Sequence, residues 1–332
     1  MYLVLGLCIL LAAMLLINSI ASFAISIVWR GMSKLARGWS PATRASVITT
    51  IRVVPVVMGL ATVALLFAPA YLTYEPRNDH EDISLKLALV AAFSAVGIIL
   101  AVLRGALAWR ATARLSKDWL ARSQPVRLSG IGIPTYQIEH EFPVIAIVGT
   151  VRPRLFVATR VLQSLSNDEL NAAISHEAGH LVHGDNLKRT LLRICRDSLL
   201  IIPAGRSLDV AWKEASEEAA DDFAARRGSN AALDLASSLV KISRMIPLGK
   251  QAAMPAAAFL IGPEDGGGVT NRVRRLVNLA HDDPGSGRFG RVPKLFTWLP
   301  VALILVVGVA SSEPHVLALT HYLIEDVVAF LK

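Results

Sequence analysis

Four stretches of this chain are long and apolar enough to cross a lipid bilayer. They constrain its fold more than any other feature, because a segment in hydrocarbon must satisfy its backbone hydrogen bonds internally. A helix needs roughly 20 apolar residues for the crossing. The first stretch runs from about Tyr2 to Trp29 without a charged side chain, the second from after Arg52 to near Tyr74, the third from about Leu87 to Trp109, and the fourth from Phe296 to about Ser311. Arg104 lies near the end of the third, where a long side chain snorkels to the interface. Composition agrees, with 53% of the 332 residues apolar and 18% charged. The first stretch reads as an uncleaved anchor, since no Lys or Arg precedes it and its apolar run is too long for a signal peptide.

Loop charge sets an orientation, because cytoplasmic loops collect Lys and Arg. Arg30, Lys34, Arg37, Arg44 and Arg52 lie between the first two stretches with no acidic residue among them. Glu75 to Asp82, between the second and third, has the opposite bias, and Arg110, Arg114, Lys117, Arg122 and Arg127 follow the third. The expectation is a multi-pass protein of the cell (inner) membrane with its N-terminus outside and residues 110–295 in the cytoplasm. The net charge of +8 then serves topology and anionic lipid, and no nucleic-acid partner is expected. Cys8 and Cys195, far apart in apolar surroundings, imply neither a disulfide nor a thiolate metal site.

Residues 110–295 are long enough for a domain with its own core. After a short helical stretch, Leu115 to Arg122, strand-like pieces follow around Ile131 to Ile138, Val144 to Val148 and Leu155 to Val157, separated by Gly and Pro. They predict a small antiparallel sheet, and from Arg160 onward the pattern is helical. The fold class is therefore mainly α: three membrane helices over 1–109, a cytoplasmic α+β domain over 110–295, a fourth span over 296–311 and a short extracytoplasmic amphipathic tail over 312–332.

Within the domain, His176-Glu177-Ala178-Gly179-His180 spells H-E-x-x-H. On a helix this puts two imidazoles one turn apart on one face, within reach of a single metal ion, the front half of a zinc hydrolase site. Ser166-Asn167-Asp168-Glu169 fits a capping box that starts the helix, Leu170, Ile174, Ala178 and Leu181 form its core stripe, and Gly184 is placed to end it. A catalytic zinc takes a third protein donor. Glu217 offers it, with Asp221 at i+4 able to accept a hydrogen bond from a metal-binding histidine. Glu218 with Asp222 is a frame-shifted alternative, and without the upstream motif the whole acidic cluster would read as a solvated helix face. His183 is read as a surface or supporting residue.

Val148-Gly149, Pro153 to Val157, and Leu170 leading into His176-Glu177-Ala178-Gly179-His180 with Asp185 beyond it resemble the BlaR/MecR-type integral-membrane zinc metallopeptidases. The order of three spans, a cytoplasmic gluzincin domain and a fourth span is similar too. Glu217 to Asp221 also reads as the E-x-x-A-D shared with the related HtpX/CAAX-type membrane proteases. The resemblance implies one Zn2+ per chain held by His176, His180 and Glu217, Glu177 as catalytic base, and Asp185 and Asp221 as supporting acids. It also exposes a departure: the antibiotic-sensing members continue into a penicillin-binding sensor domain, whereas only residues 312–332 follow the fourth stretch here.

The implied function is an integral-membrane zinc-dependent endopeptidase. It would hydrolyse peptide bonds with metal-activated water, acting on a cytoplasmic regulator or a membrane protein in signalling or quality control, with an extended substrate pairing along a sheet edge near Val144 to Val148. The alternatives are a signal transducer whose proteolysis is an output, and a non-enzymatic scaffold that holds zinc for structure. Elsewhere, Arg272, Arg274 and Arg275 alternate with Val273, Leu276 and Leu279, which predicts an amphipathic helix with its arginines solvated or near lipid headgroups. His80, His140, His315 and His321 have no partners at ligand spacing, and Gly262 to Gly268 reads as a linker.

Overall fold

The computed structural model describes residues 2–76, 83–128, 132–149, 152–197, 206–246, 268–281 and 294–331. Residues 262–267 of the Gly262 to Gly268 stretch read as a linker, and His80, lie outside them, while Gly268 begins a helix. Among the described residues, three helices are long and apolar enough to cross a membrane: α1 (Tyr2–Ala36), a rod running Pro41–Tyr74, and α4 (Leu85–Ala121). The rod consists of α2 (Pro41–Thr62), a π-helical turn Val63–Phe67, and α3 (Ala68–Tyr74). Ser40 starts it by accepting from the Thr43 amide, and Pro41 occupies the first turn, where no amide is lost. Hydropathy alone begins this span after Arg52. The helix begins earlier, at Pro41, because the apolar face of its first turns is covered by protein.

The sheet has four strands, β1 (Ser123–Pro125), β2 (Thr135–Ile138), β3 (Ile145–Val148) and β4 (Arg154–Ala158), in the order β1-β2-β4-β3. It is mixed, which corrects the expectation of a wholly antiparallel sheet. β1 with β2 and β3 with β4 are antiparallel, but β2 and β4 run parallel. β3 and β4 form an antiparallel pair, and β4, whose Leu155, Phe156, Val157 and Ala158 are at most 1% exposed, pairs with β2 on its other side, which leaves β3 at the edge although it is buried too.

Helices follow: α5 (Thr159–Ser164), α6 (Asn167–His183), α7 (Asp185–Asp197), α8 (Arg206–Ala225), α9 (Ala231–Met245) and α10 (Gly268–His281). The core between sheet and helices includes Phe156, Val161, Ala173, Leu235, Leu239 and Leu276. A second core joins this domain to the membrane helices, with Trp29, Ala36, Ala45 and Ile48 packed on Leu192, Leu208, Trp212 and Ala215. At the other end of the bundle, Leu5, Ile9, Ala70, Tyr71 and Leu87 enclose Ile324 and Val328.

The last two helices are α11 (Leu299–Ser311), preceded by a 3-10 turn Lys294–Trp298, and α12 (Pro314–Leu331). Phe296–Ser311 and Pro314–Ala329 meet at 96°, so together they form either a broken span or a re-entrant loop. Pro314 sits at the break, where its missing amide disfavours a continuous helix.

Candidate metal centre

α6 has both ends fixed by local chemistry. Ser166 Oγ accepts from the Glu169 amide at 3.3 Å and Glu169 Oε2 accepts from the Ser166 amide at 2.8 Å, while Gly184 closes the helix at φ 67°. Glu169 is tied further to Ser237 Oγ at 2.6 Å and Lys241 Nζ at 2.7 Å, which locks α6 to α9. These contacts set the helical phase at which His176 and His180 leave the backbone.

The two imidazoles stand nearly perpendicular, with ring centroids 4.8 Å apart. His176 Nδ1 lies 2.9 Å from Asp221 Oδ1, and His180 Nδ1 lies 2.8 Å from Asp185 Oδ2. A carboxylate only accepts, so each Nδ1 carries a proton and, in the neutral imidazole that binds a metal, each Nε2 keeps its lone pair. Both Nε2 atoms face Glu217: His176 Nε2 is 3.6 Å from its Oε2 and His180 Nε2 is 3.7 Å from its Oε1. Ligand atoms of His176, His180 and Glu217 all lie within 4.8 Å of one another. Two imidazoles and a carboxylate, with both histidine tautomers fixed by carboxylates behind them, match the donor set and supporting shell of a catalytic zinc site. The residues present therefore fit the ion.

Glu218, the frame-shifted alternative, points elsewhere and pairs with Arg44 of α2 at 2.7 Å. Asp222 pairs with Arg275. His183 packs edge-on against Phe223, and exposed His281 lies against the Val277 carbonyl. Neither belongs to the cluster.

Arg272 is the residue that sequence reasoning misplaced. Its guanidinium is not solvated: it donates to Asp221 Oδ1 at 2.7 Å and Oδ2 at 3.0 Å, and pairs with Glu217 Oε2 at 3.1 Å. Arg275 likewise turns inward, donating to the Glu218 carbonyl as well as to Asp222. The signal was the acidic cluster itself, since four carboxylates within six residues of a packed helix need cations, and α10 brings arginines spaced to supply them.

Electrostatics follow from burial and these pairs. Burial would raise the Glu217 and Asp221 carboxyls, but Arg272 leads the groups that hold both well below the ordinary carboxylate range. Burial would lower His176, yet Asp221 and Glu217 outweigh it and carry it up to about 9. Glu177 moves the other way: burial raises its carboxyl, opposed by His180 and His176 and by the backbone of Ile147. Glu177 thus sits below edge strand β3, beside a cleft lined by Ile147, His180, Asn186, Arg189 and Glu217. Asn186 also donates to the Ile147 carbonyl at 3.4 Å.

A close approach of α6 and α8 makes the cluster possible. A Cβ on Gly179 would fall 3.0 Å from Ala220 Cα, so a larger residue there would push α8 back by a few tenths of an ångström.

Residues 146–208, from β3 through α7 into the first turn of α8, match the model of Peptidase family M48. A stretch of 83 residues is 30% identical to a protein named Protease HtpX from Idiomarina loihiensis, covering 24% of this chain and 29% of that relative. The match thus spans less than a third of the relative's length. Glu217, Asp221 and Arg272 lie beyond the segment matched to the family, so their place in the cluster rests on geometry; within that segment the chain is similar to M48 peptidases.

Proposed function

We propose that this chain is an integral-membrane zinc-dependent endopeptidase, with His176, His180 and Glu217 holding one Zn2+ and Glu177 acting as general base. The observation that carries the reading is the donor cluster, in which both histidines present Nε2 to Glu217 while Asp221 and Asp185 hold Nδ1. The similarity to M48 peptidases supports it.

When bound, zinc supplies Lewis acidity toward a scissile carbonyl and makes water a stronger acid. Glu177, its carboxyl raised by burial, takes the proton from the attacking water and returns it to the leaving amine. Asp221 and Asp185 keep the imidazole protons on Nδ1, and Arg272 keeps Glu217 and Asp221 anionic. β3, an edge strand beside Glu177, offers backbone groups to an extended peptide, a mode that gives affinity with little sequence preference.

The proposal extends to placement: an N-terminus outside, the metal centre in a cytoplasmic domain over 110–295, and a BlaR/MecR-like order of spans. Its substrates are a cytoplasmic regulator or membrane proteins. A transducer role, with proteolysis as output, is favoured by one feature, the Pro41–Tyr74 rod that contacts the α8 helix at one end and the far side of the bundle at the other.

The test is cleavage of an unfolded protein by detergent-purified protein of measured metal content. Glu177→Gln is expected to keep zinc and lose cleavage; equal cleavage by both proteins would refute the mechanism. Glu217→Ala is expected to lose zinc and Glu218→Ala to keep it. A reporter fused after Lys332 is expected to lie outside, and a cytoplasmic signal would overturn the orientation.

A further inference from the structure

At the end of the bundle away from His176, three side chains with metal-binding atoms converge from two distant parts of the chain. Glu75 follows the last turn of α3, its amide donating to the Tyr71 carbonyl at 3.0 Å. His321 and Glu325 stand one turn apart on one face of α12. Tyr74 holds the two elements together: its hydroxyl donates to the Pro314 carbonyl at 3.2 Å, and its ring stacks on His321 with centroids 5.9 Å apart.

His321 Nδ1 lies 3.9 Å from Glu75 Oε2, and His321 Nε2 lies 4.0 Å from Glu325 Oε1. These separations are too long for hydrogen bonds, which run about 2.7–3.2 Å. An imidazole gives one nitrogen to an ion, so only one of the two separations can span it; either suits two donors sharing an ion, because bonds of about 2.0–2.2 Å put their outer atoms roughly 3.3–4.2 Å apart, depending on the angle between them. One ligand atom from each of Glu75, His321 and Glu325 can be chosen so that all lie within 4.8 Å, as in the His176 cluster. The second, independent observation is His321 Nδ1 itself, which is shielded from solvent and has no hydrogen-bond partner among the described residues. A buried polar atom in that state calls for a partner, and an ion between these side chains supplies one.

Exposure gives the site an entrance. The side chains of Glu75 and His321 are 6% and 16% exposed, whereas that of Glu325 is 48% exposed and stands at its mouth. We propose that Glu75, His321 and Glu325 form a second metal site that binds a divalent ion of the zinc class and pins α12 to the end of the Pro41–Tyr74 rod. The imidazole selects such ions over magnesium or calcium, which prefer all-oxygen sites. The site stands whether or not the His176 centre cleaves peptides.

The experiment measures zinc bound at equilibrium to the full-length protein in detergent, by dialysis against buffered Zn2+ and elemental analysis. Wild type is expected to bind about two equivalents and His321→Ala about one. In a His176→Ala/His180→Ala background about one equivalent is expected to remain, its affinity falling roughly 10- to 100-fold or more in Glu75→Gln, a change that preserves shape. Co2+ absorption gives a second readout, expected to lose its imidazole-containing component in His321→Ala but not in His315→Ala. One equivalent in wild type with none left in the double variant would overturn the proposal, as would zinc in the double variant that survives both His321→Ala and Glu75→Gln. Loss of cleavage in Glu177→Gln reports only on the first centre, so the two readings fail separately.

Discussion

Gly179→Ala tests whether the third donor is positioned by the packing of α6 on α8. The added Cβ would meet Ala220 Cα at 3.0 Å, Phe223 Cβ at 3.2 Å and Ala220 Cβ at 3.3 Å. Carbon atoms pack best at about 3.5–4.0 Å, and the nearest of these neighbours is backbone, which no rotamer change can move. α8 must therefore retreat by roughly half an ångström. Overpacking of this kind costs about 1–3 kcal/mol, offset by about 1 kcal/mol from replacing a mid-helix glycine with alanine, so the net loss of stability is about 0–2 kcal/mol. The metal centre is less forgiving, because Glu217 precedes Ala220 by less than one turn of α8 and moves with it, whereas zinc bonds tolerate only about 0.2 Å. The expectation is a fall in zinc affinity of roughly 10- to 100-fold, of the size seen when support of a ligand is lost, with a small change in thermal midpoint. Competition with a fluorescent chelator measures the first and calorimetry the second. Gly184→Ala is the control: at φ +67° with nothing near its Cβ, it should lower stability through backbone strain while leaving zinc affinity nearly unchanged. Wild-type affinity in Gly179→Ala would refute the reasoning.

Asp221→Asn keeps the shape but removes the charge that fixes the His176 proton and faces Arg272; zinc affinity is expected to drop about 10- to 100-fold by the same chelator assay. Burial would raise the Glu169 carboxyl, but Lys241, Ser237 and the Ser166 amide lower it from 4.5 to about 2, so its stabilising contribution is complete above about pH 4.5 and is lost as pH falls toward about 2. With Lys241 45% exposed the contribution is about 1–2 kcal/mol, and Glu169→Gln is expected to flatten the acid limb of the stability curve by that amount in urea titrations. A fragment of residues 110–295 alone would bare Leu208, Trp212 and Ala215, and is expected to associate and to bind zinc more weakly than the whole chain, as size-exclusion chromatography and the chelator assay would report.

What was legible in the sequence was local. The capping box at Ser166 and Glu169, the Gly184 terminus and the His176–His180 spacing depend on residues within one or two turns of each other. The frame of the acidic cluster was not decidable from sequence alone, because Glu217 and Glu218 differ by about 100° around the helix. Which of them meets α6 depends on where Ala220 meets Gly179. Arg272 was misread for the same reason: amphipathic spacing identifies a polar face but not whether buried carboxylates wait opposite it. The parallel β2–β4 pair escaped because it joins strands that are not consecutive in the chain, and His321 because Glu75 is 246 residues before it.

These non-local contacts converge on α8. One face meets α6 through Gly179 and Ala220, and the other meets α2 through Ile48, Trp212 and the Arg44–Glu218 pair. Adjacent residues of one helix thus face different neighbours, Glu217 the candidate metal centre and Glu218 a membrane helix. The position of the third donor is therefore a joint property of the domain and the bundle. A π-helical turn at Val63–Phe67 and Pro55 both interrupt regular hydrogen bonding in the rod, and such interruptions are where helices bend. A bend there would shift the Arg44 end of the rod against α8. Since zinc bonding tolerates displacements of only about 0.2 Å, a shift too small to disturb the hydrophobic core is enough to alter the donor set.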